Sequence, residues 1–190
     1  MQHKKLKLNA VILLVLGLTG LQAQTQTGNS FTDYRDGNVY KTDTIGTKIW
    51  MAENLKYLPS VGFGEASIKT PYYYVYGYNG TNVNEAKATL NYSTCGVLYN
   101  WPAAMAGETF SPFRVQGVCP SGWHLPSIAE CKELRRFIND TLNCTKSWWT
   151  ATENSSSFDK AWSLDLYDNS YLIKNSDTKM RKCYVRCVRD

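Results

Sequence analysis

Apolar residues are distributed along this chain in three ways. Ala10 to Leu21 is a continuous apolar run with Thr19 as its only polar interruption. Further on, short stretches rich in apolar and β-branched residues read as strands, with Ala161–Leu166 alternating apolar and polar: Phe31–Tyr34, Val39–Thr42, Lys48–Met51, Trp148–Thr152, Ala161–Leu166, Tyr171–Lys174 and Cys183–Arg189. A period of two predicts half-buried strands. Asp36-Gly37 marks a turn between the first two stretches, and Ile45-Gly46-Thr47 marks the next. Two segments read differently. Val97 to Ala106 begins as a strand and continues as a short helix, with Pro102 in the first turn. Ser127 and Glu130 form a capping box. The helix they open is predicted to run to about Phe137 or Ile138, with Leu134, Phe137 and Ile138 on one face. Residues 58–95 are rich in Gly, Asn, Tyr and Thr and contain the run from Tyr72 to Tyr76. One strand is expected there, inside a long irregular region. Such a loop in a compact domain usually carries function or wraps the core. With no internal repeat and no βαβ alternation, the pattern predicts an α+β domain: an irregular, mostly antiparallel sheet with short helices and long loops.

The first run is of a different kind. Lys4, Lys5 and Lys7 precede it and Leu21-Gln22-Ala23 follows. Charge, apolar stretch and small-residue exit make a signal peptide over residues 1–23, cut after Ala23. A dozen apolar residues fall short of the roughly 20 a membrane span needs, so no transmembrane segment is expected in the mature chain. The first cysteine is Cys95, far from the cut, which removes the main support for a lipid anchor. Residues 24–30 read as a flexible leader, and 31–190 as one domain of ordinary size.

Export changes how charge and cysteines are read. The formal charge of +5 loses the three lysines of the signal peptide and becomes +2. Lys179, Arg181, Lys182, Arg186 and Arg189 are the only clustered cations, with Asp177 and Asp190 beside them. They read as a solvated edge strand, not as a nucleic-acid face. The six cysteines are an even set in an exported chain and therefore read as disulfides. Fifteen connectivities are possible, and spacing does not choose among them. On one strand, Cys183 and Cys187 would lie about 13 Å apart, too far for a bond that needs Cα atoms within about 7 Å. They therefore pair with different partners. Paired C-x-x-C knuckles of a zinc site are missing.

Five strings together resemble one family. They are Tyr34 to Tyr40, Ile45 to Leu55, Gly96 to Trp101, Gly117 to Ser127, and Val185 to Asp190. Within them, D-G-x-x-Y, I-G-x-x-x-W-M-A-E-N-L and C-P-x-G-W-H-L-P carry the likeness. The chain resembles the Fibrobacter succinogenes major paralogous domain, in order, from about Phe31 to Asp190. The resemblance implies a C-type-lectin-like fold, distantly related to formylglycine-generating enzymes, and exported or surface proteins without an established activity. It also implies a disulfide between Cys119 and Cys187. Cys131 stands where such domains usually carry Trp. Cys95, Cys144 and Cys183 also look like additions, and these four are expected to form local pairs whose partners the sequence does not assign.

Candidate chemistry is sparse. His124 is the one histidine left after cleavage. Between Trp123 and Leu125 it reads as a packed residue donating to a backbone carbonyl. The nucleophile elbow G-x-S-x-G is absent from the sequence. Glu53 and Glu130 could form a pair for glycoside hydrolysis, but capping already explains Glu130. The cysteine chemistry of formylglycine-generating enzymes is disfavoured because the rest of that active-site string is missing. The E-P-N, Q-P-D and W-N-D strings of calcium-dependent lectins are missing too, which leaves a calcium-independent sugar site open. Trp50, Trp101 and Trp123 lie in apolar strings and read as core. Trp148, Tyr167 and Tyr171 lie near polar loops and are the candidate ligand-facing aromatics, with strand-face packing as the blander reading. The expectation is an exported, non-catalytic binding or structural module, with no cofactor or metal, whose partner is a surface glycan or protein. The alternative is a secreted enzyme acting on glycans or exported proteins.

Overall fold

The computed structural model describes residues 29–109, 114–134, 147–167 and 170–190, and the side chains of these except 166–167 and 170–176. Residues 1–23, expected as a signal peptide, and most of 24–30, expected as a leader, lie outside the described residues. Among those described, no helix is long and apolar enough to cross a membrane.

The chain opens as a meander. β1 (Ser30–Thr32) pairs antiparallel with β2 (Val39–Ile45), and β2 with β3 (Lys48–Met51). The turn predicted at Asp36-Gly37 closes on Asp33, whose carbonyl accepts the Gly37 amide at 2.8 Å. The next turn has two residues, Gly46 and Thr47. Gly46 has φ 62, the positive value that the first central position of a type II′ hairpin demands.

A two-stranded sheet follows. It pairs β4 (Tyr73–Tyr74) with β5 (Leu98–Tyr99). The region expected to hold one strand and irregular chain also contains two helices, α1 (Val83–Lys87) and α2 (Leu90–Cys95). Both are made by their caps. The Asn82 side chain accepts from the amides of Asn84 and Glu85, and Thr89 accepts from the Tyr92 amide. They bury Ala86, Tyr92 and Cys95. Helices of five and six residues are too short to show a 3.6-residue period, so the hydrophobic pattern hid them.

α3 (Trp101–Met105) has Pro102 in its first turn, as the sequence predicts, and Asn100 as its cap. α4 (Ile128–Leu134) opens with the expected capping box: the Ser127 amide donates to Glu130 at 2.8 Å, and the Glu130 amide donates back to the Ser127 hydroxyl at 3.3 Å. Its expected continuation to Phe137 or Ile138 lies outside the described residues. A three-stranded antiparallel sheet completes the set, from β6 (Ser147–Glu153), β7 (Lys160–Tyr167) and β8 (Ser170–Thr178). The architecture is mixed α+β, with mostly antiparallel strands in separate curled sheets and short helices between them.

Residues 183–189 depart from expectation. Only Val188–Arg189 forms a strand, β9. The stretch read as one long strand is divided among three partners. Cys183 bridges Tyr99 of β5, Tyr184 bridges Trp148 of β6, and Val188 pairs with Trp50 of β3 and with His124. Between these points the Leu55 amide donates to the Val185 carbonyl at 2.8 Å, and the Met51 amide to the Cys187 carbonyl at 3.0 Å. One short segment thus ties all three sheets together. Every one of its residues from Cys183 to Val188 is buried.

The predicted disulfide is present. Cys119 and Cys187 are bonded, with Cα atoms 5.9 Å apart. It joins the approach to α4 to the tying segment. The remaining cysteines do not all form the expected local pairs. Cys95 is disulfide-bonded, whereas Cys131 and Cys183 are buried thiols. Cys144 lies outside the described residues. Two clusters of buried side chains make the core. One contains Tyr40, Tyr99, Trp101, Trp123 and Trp149, and the other Trp50, Tyr74, Trp148 and Tyr184. Trp50, Trp101 and Trp123 are therefore core residues, as read from the sequence.

Candidate functional site

The tyrosine run around β4 builds the most distinctive surface feature. The strand ends at Tyr74, and the chain beyond it turns Val75 inward as well and Tyr76 outward. Tyr74 and Val75 are buried, while Tyr76 is 56% exposed. Gly62 donates its amide to the Tyr73 carbonyl at 2.9 Å, which lays the preceding loop beside the strand. Beyond the strand the chain turns back, with the Tyr78 amide donating to the Val75 carbonyl at 3.1 Å and Gly77 at φ 73. α1 and α2 hold this turn from behind. The Tyr78 hydroxyl donates to Glu85 at 2.9 Å, and the Asn91 amide donates to the Tyr76 carbonyl at 2.9 Å. A Cβ on Gly80 would meet the Tyr78 ring and hydroxyl, so a larger residue there would have to displace that side chain.

These pieces enclose a half-open cleft of about 210 Å³. Val75 and Leu98 contribute its apolar part, Tyr74 and Tyr76 its tyrosine wall, and Phe63 an aromatic lip that is 56% exposed. Lys182 reaches in from the other end of the chain, its Nζ 3.9 Å from the centroid of the Tyr74 ring. It is the one charged side chain lining the cleft among the described residues. Burial pushes the Tyr74 phenol up to about 12, so it stays neutral at any ordinary pH, and its hydroxyl donates to the Glu65 carbonyl. Among the described residues, the Asn79 amide, the Tyr76 hydroxyl and the Lys182 ammonium hold no hydrogen bond or ion pair. The arrangement can cover a ring face, donate hydrogen bonds and attract an anion. Among the described residues lining the cleft there is no serine, cysteine or histidine.

The residues singled out from the sequence are placed elsewhere. Trp148, one of the candidate ligand-facing aromatics, is a core residue at 3% exposure, in line with the packing alternative; its Nε1 donates to Asn54 Oδ1 at 2.8 Å. The apolar neighbours in β6 outweigh the polar loop that suggested exposure. The side chains of Tyr167 and Tyr171 lie outside those described. His124 is buried, but its side-chain partner is the Glu130 carboxylate, 2.9 Å from Nε2, rather than a backbone carbonyl. Its backbone carbonyl and amide are taken by Val188. Glu53 pairs with Lys56 at 3.4 Å, so it and Glu130 serve different partners.

The cationic cluster is also not a solvated edge. Lys179 and Arg186 are each 6% exposed. Lys179 pairs with Glu153 and lies 4.5 Å from the Trp101 ring centroid; Arg186 lies 5.4 Å from that of Trp148 and Arg189 5.1 Å from that of Trp123. Arg181 is held by Asp165 and Asp177. Aromatic faces and carboxylates absorb these charges, and Lys182 is the member left at the surface beside an open cleft.

Residues 58–95 read from the sequence as a loop region of functional length, but Tyr76 entered only as the end of the tyrosine run, Lys182 only as one of the clustered cations, and Phe63 and Asn79 not at all. The usable signal was the run of tyrosines flanked by Gly62, Gly64, Gly77 and Gly80, which thin the backbone around exposed rings. Lys182 had no local signal, because it arrives from more than 100 residues away.

The family model of the Fibrobacter succinogenes major domain matches residues 44–143. The chain belongs to that family. The matched span holds β3 to α4 and the cleft from Gly62 to Leu98, whereas Lys182 and Cys187 lie beyond it. No curated protein and no solved structure matches the chain.

Proposed function

We propose that this member of the Fibrobacter succinogenes major domain family is an exported, non-catalytic binding module whose ligand seats in the Tyr74–Tyr76 cleft. One observation carries the reading: exposed Phe63 and Tyr76 line the same cleft as three polar groups that hold no hydrogen bond or ion pair among the described residues. Large exposed aromatics beside convergent polar groups are the ordinary composition of a recognition site. Export is supported by the amino-terminal charge and apolar pattern, and by a disulfide that tolerates an oxidising compartment. A C-type-lectin-like arrangement is in keeping with curled antiparallel sheets carrying a long, helix-studded loop region, and it is part of the same proposal. The cleft is built of loops set on the hydrogen-bonded β4–β5 pair, a division suited to binding.

The test is retention of the purified chain on arrays of immobilised saccharides and surface-protein peptides. The comparison is a Phe63→Ala, Tyr76→Ala double variant. Both side chains are more than half exposed, so the double variant should melt within a few degrees of the parent while losing retention at least about tenfold. Equal retention by the double variant would remove the cleft from the reading. Turnover of an arrayed saccharide or peptide would show an enzyme instead.

A further inference from the structure

The cleft also indicates what kind of ligand it takes, and this inference rests on the reading of the cleft as the binding site. Its volume, about 210 Å³, lies below the roughly 300–1,000 Å³ of sites that enclose drug-sized molecules. It has room for one ring-sized group of a larger ligand, with the rest outside. The rings exposed at its edge, Phe63 and Tyr76, ask for a flat or puckered apolar face. The Asn79 amide and Tyr76 hydroxyl ask for hydrogen-bonding partners around that face. Lys182 asks for an anion. The Glu65 carboxylate packs beside Gly62 and that of Glu85 accepts from Tyr78, both without lining the cleft, so Lys182 is the charge that a ligand in it would meet directly.

Few chemical groups answer all three demands at once. An aspartate or glutamate side chain brings the charge but no ring face. A phenylalanine or leucine brings the face but leaves the polar groups and the ammonium unmatched. An acidic sugar brings a ring face of C–H bonds, hydroxyls around its edge and a carboxylate, all on one ring. We infer that the cleft seats a carboxylate-bearing sugar residue of a glycan, with Lys182 pairing to the carboxylate and Phe63 and Tyr76 covering the ring. Lys182 suits the task because it is already positioned: its Nζ rests against the Tyr74 face and is not bound to a carboxylate of the described chain. It lies outside the residues matched by the family model, so the charge reaches the cleft from the carboxy-terminal part of the fold.

The experiment is a calorimetric titration of the full mature chain with oligogalacturonates and with glucuronate-containing hyaluronan fragments, each beside its methyl-esterified form. The acid form should bind at least about tenfold more tightly than its ester, the worth of a charge-assisted contact. Added sodium chloride should narrow the gap. Lys182→Gln should abolish the preference, and Lys182→Arg should restore it, which separates loss of charge from loss of packing on Tyr74. Saturable binding of acid and ester alike, lost in the Phe63→Ala, Tyr76→Ala variant, would overturn charge selection and leave the cleft as a site for neutral sugars. Binding of an acidic, tyrosine-containing peptide by the same residues, with no saccharide bound, would overturn the sugar and leave the cleft. Binding that the double variant retains would overturn both the inference and the reading beneath it.

Discussion

Glu130 shows how one residue can serve a helix and a tertiary contact together. One carboxylate oxygen accepts from the Ser127 amide and hydroxyl, both at 2.8 Å, as a capping residue should. The other meets His124 Nε2 at 2.9 Å and Lys48 Nζ at 3.2 Å. Burial alone would raise its carboxyl, but the hydrogen bonds from His124 and Ser127 outweigh burial and hold it at about 2. An ionised acceptor requires His124 Nε2 to carry a proton. The folded value is below the ordinary one near 4.5, so the stabilisation is fully present above pH 4.5. It is lost as the pH falls from there through about 2. Glu130→Gln should therefore lower stability at neutral pH and flatten the acid limb of the stability curve in that window. Urea midpoints measured from pH 7 down to pH 2 check this, and parallel acid limbs in parent and variant would contradict it. The capping half of this arrangement was legible in the spacing of Ser127 and Glu130. The other half was not, because Lys48 is brought by a hairpin far upstream.

At the scale of elements, the legible features were those written in neighbouring residues. The two turns at Asp36-Gly37 and Gly46-Thr47, the Asn100–Pro102 helix start and the Ser127 capping box all formed where local chemistry put them. α1 and α2 were equally local, with Asn82 and Glu85 spaced as a cap and its third residue, but the glycine- and tyrosine-rich setting masked the cue. Residues 183–189 misled for the opposite reason: their apolar content records burial on several sides, not one ladder. The Cys119–Cys187 bond came from family likeness, since spacing alone left every connectivity open. It closes a separation of 68 residues, and chain-entropy reasoning assigns such a loop about 4 kcal/mol. Cys119→Ser, Cys187→Ser and the double variant should each fall in melting temperature by a similar, large amount under oxidising conditions. Reducing the parent should bring it to their level. A single variant that melts like the parent would contradict this.

For the whole molecule, the core was foreseeable as aromatic, but its arrangement depends on the tying segment. The amides of Met51, Leu55, Tyr99 and Trp149 all donate to carbonyls between Cys183 and Cys187, from elements spread over three sheets. Because one segment receives them all, these four amides should exchange with solvent only through global opening, with a single free energy equal to that of unfolding. Hydrogen exchange followed by mass spectrometry or NMR checks this, and markedly faster exchange at Tyr99 or Leu55 would show sheets that open independently. The same dependence has a consequence in time. A chain made from its amino terminus presents Cys119 well before Cys187, by 68 residues. At roughly 5–20 residues per second that is an interval of about 3–14 s. During it Cys119 has Cys95 as an earlier partner and Cys131 as a nearby one, while the residues that would hold it in place do not yet exist. Disulfide reshuffling takes seconds to hours, so the yield of correctly bonded protein is governed by how fast early mispairings are exchanged, and a disulfide isomerase in the folding mixture should raise that yield without changing the stability of the finished molecule.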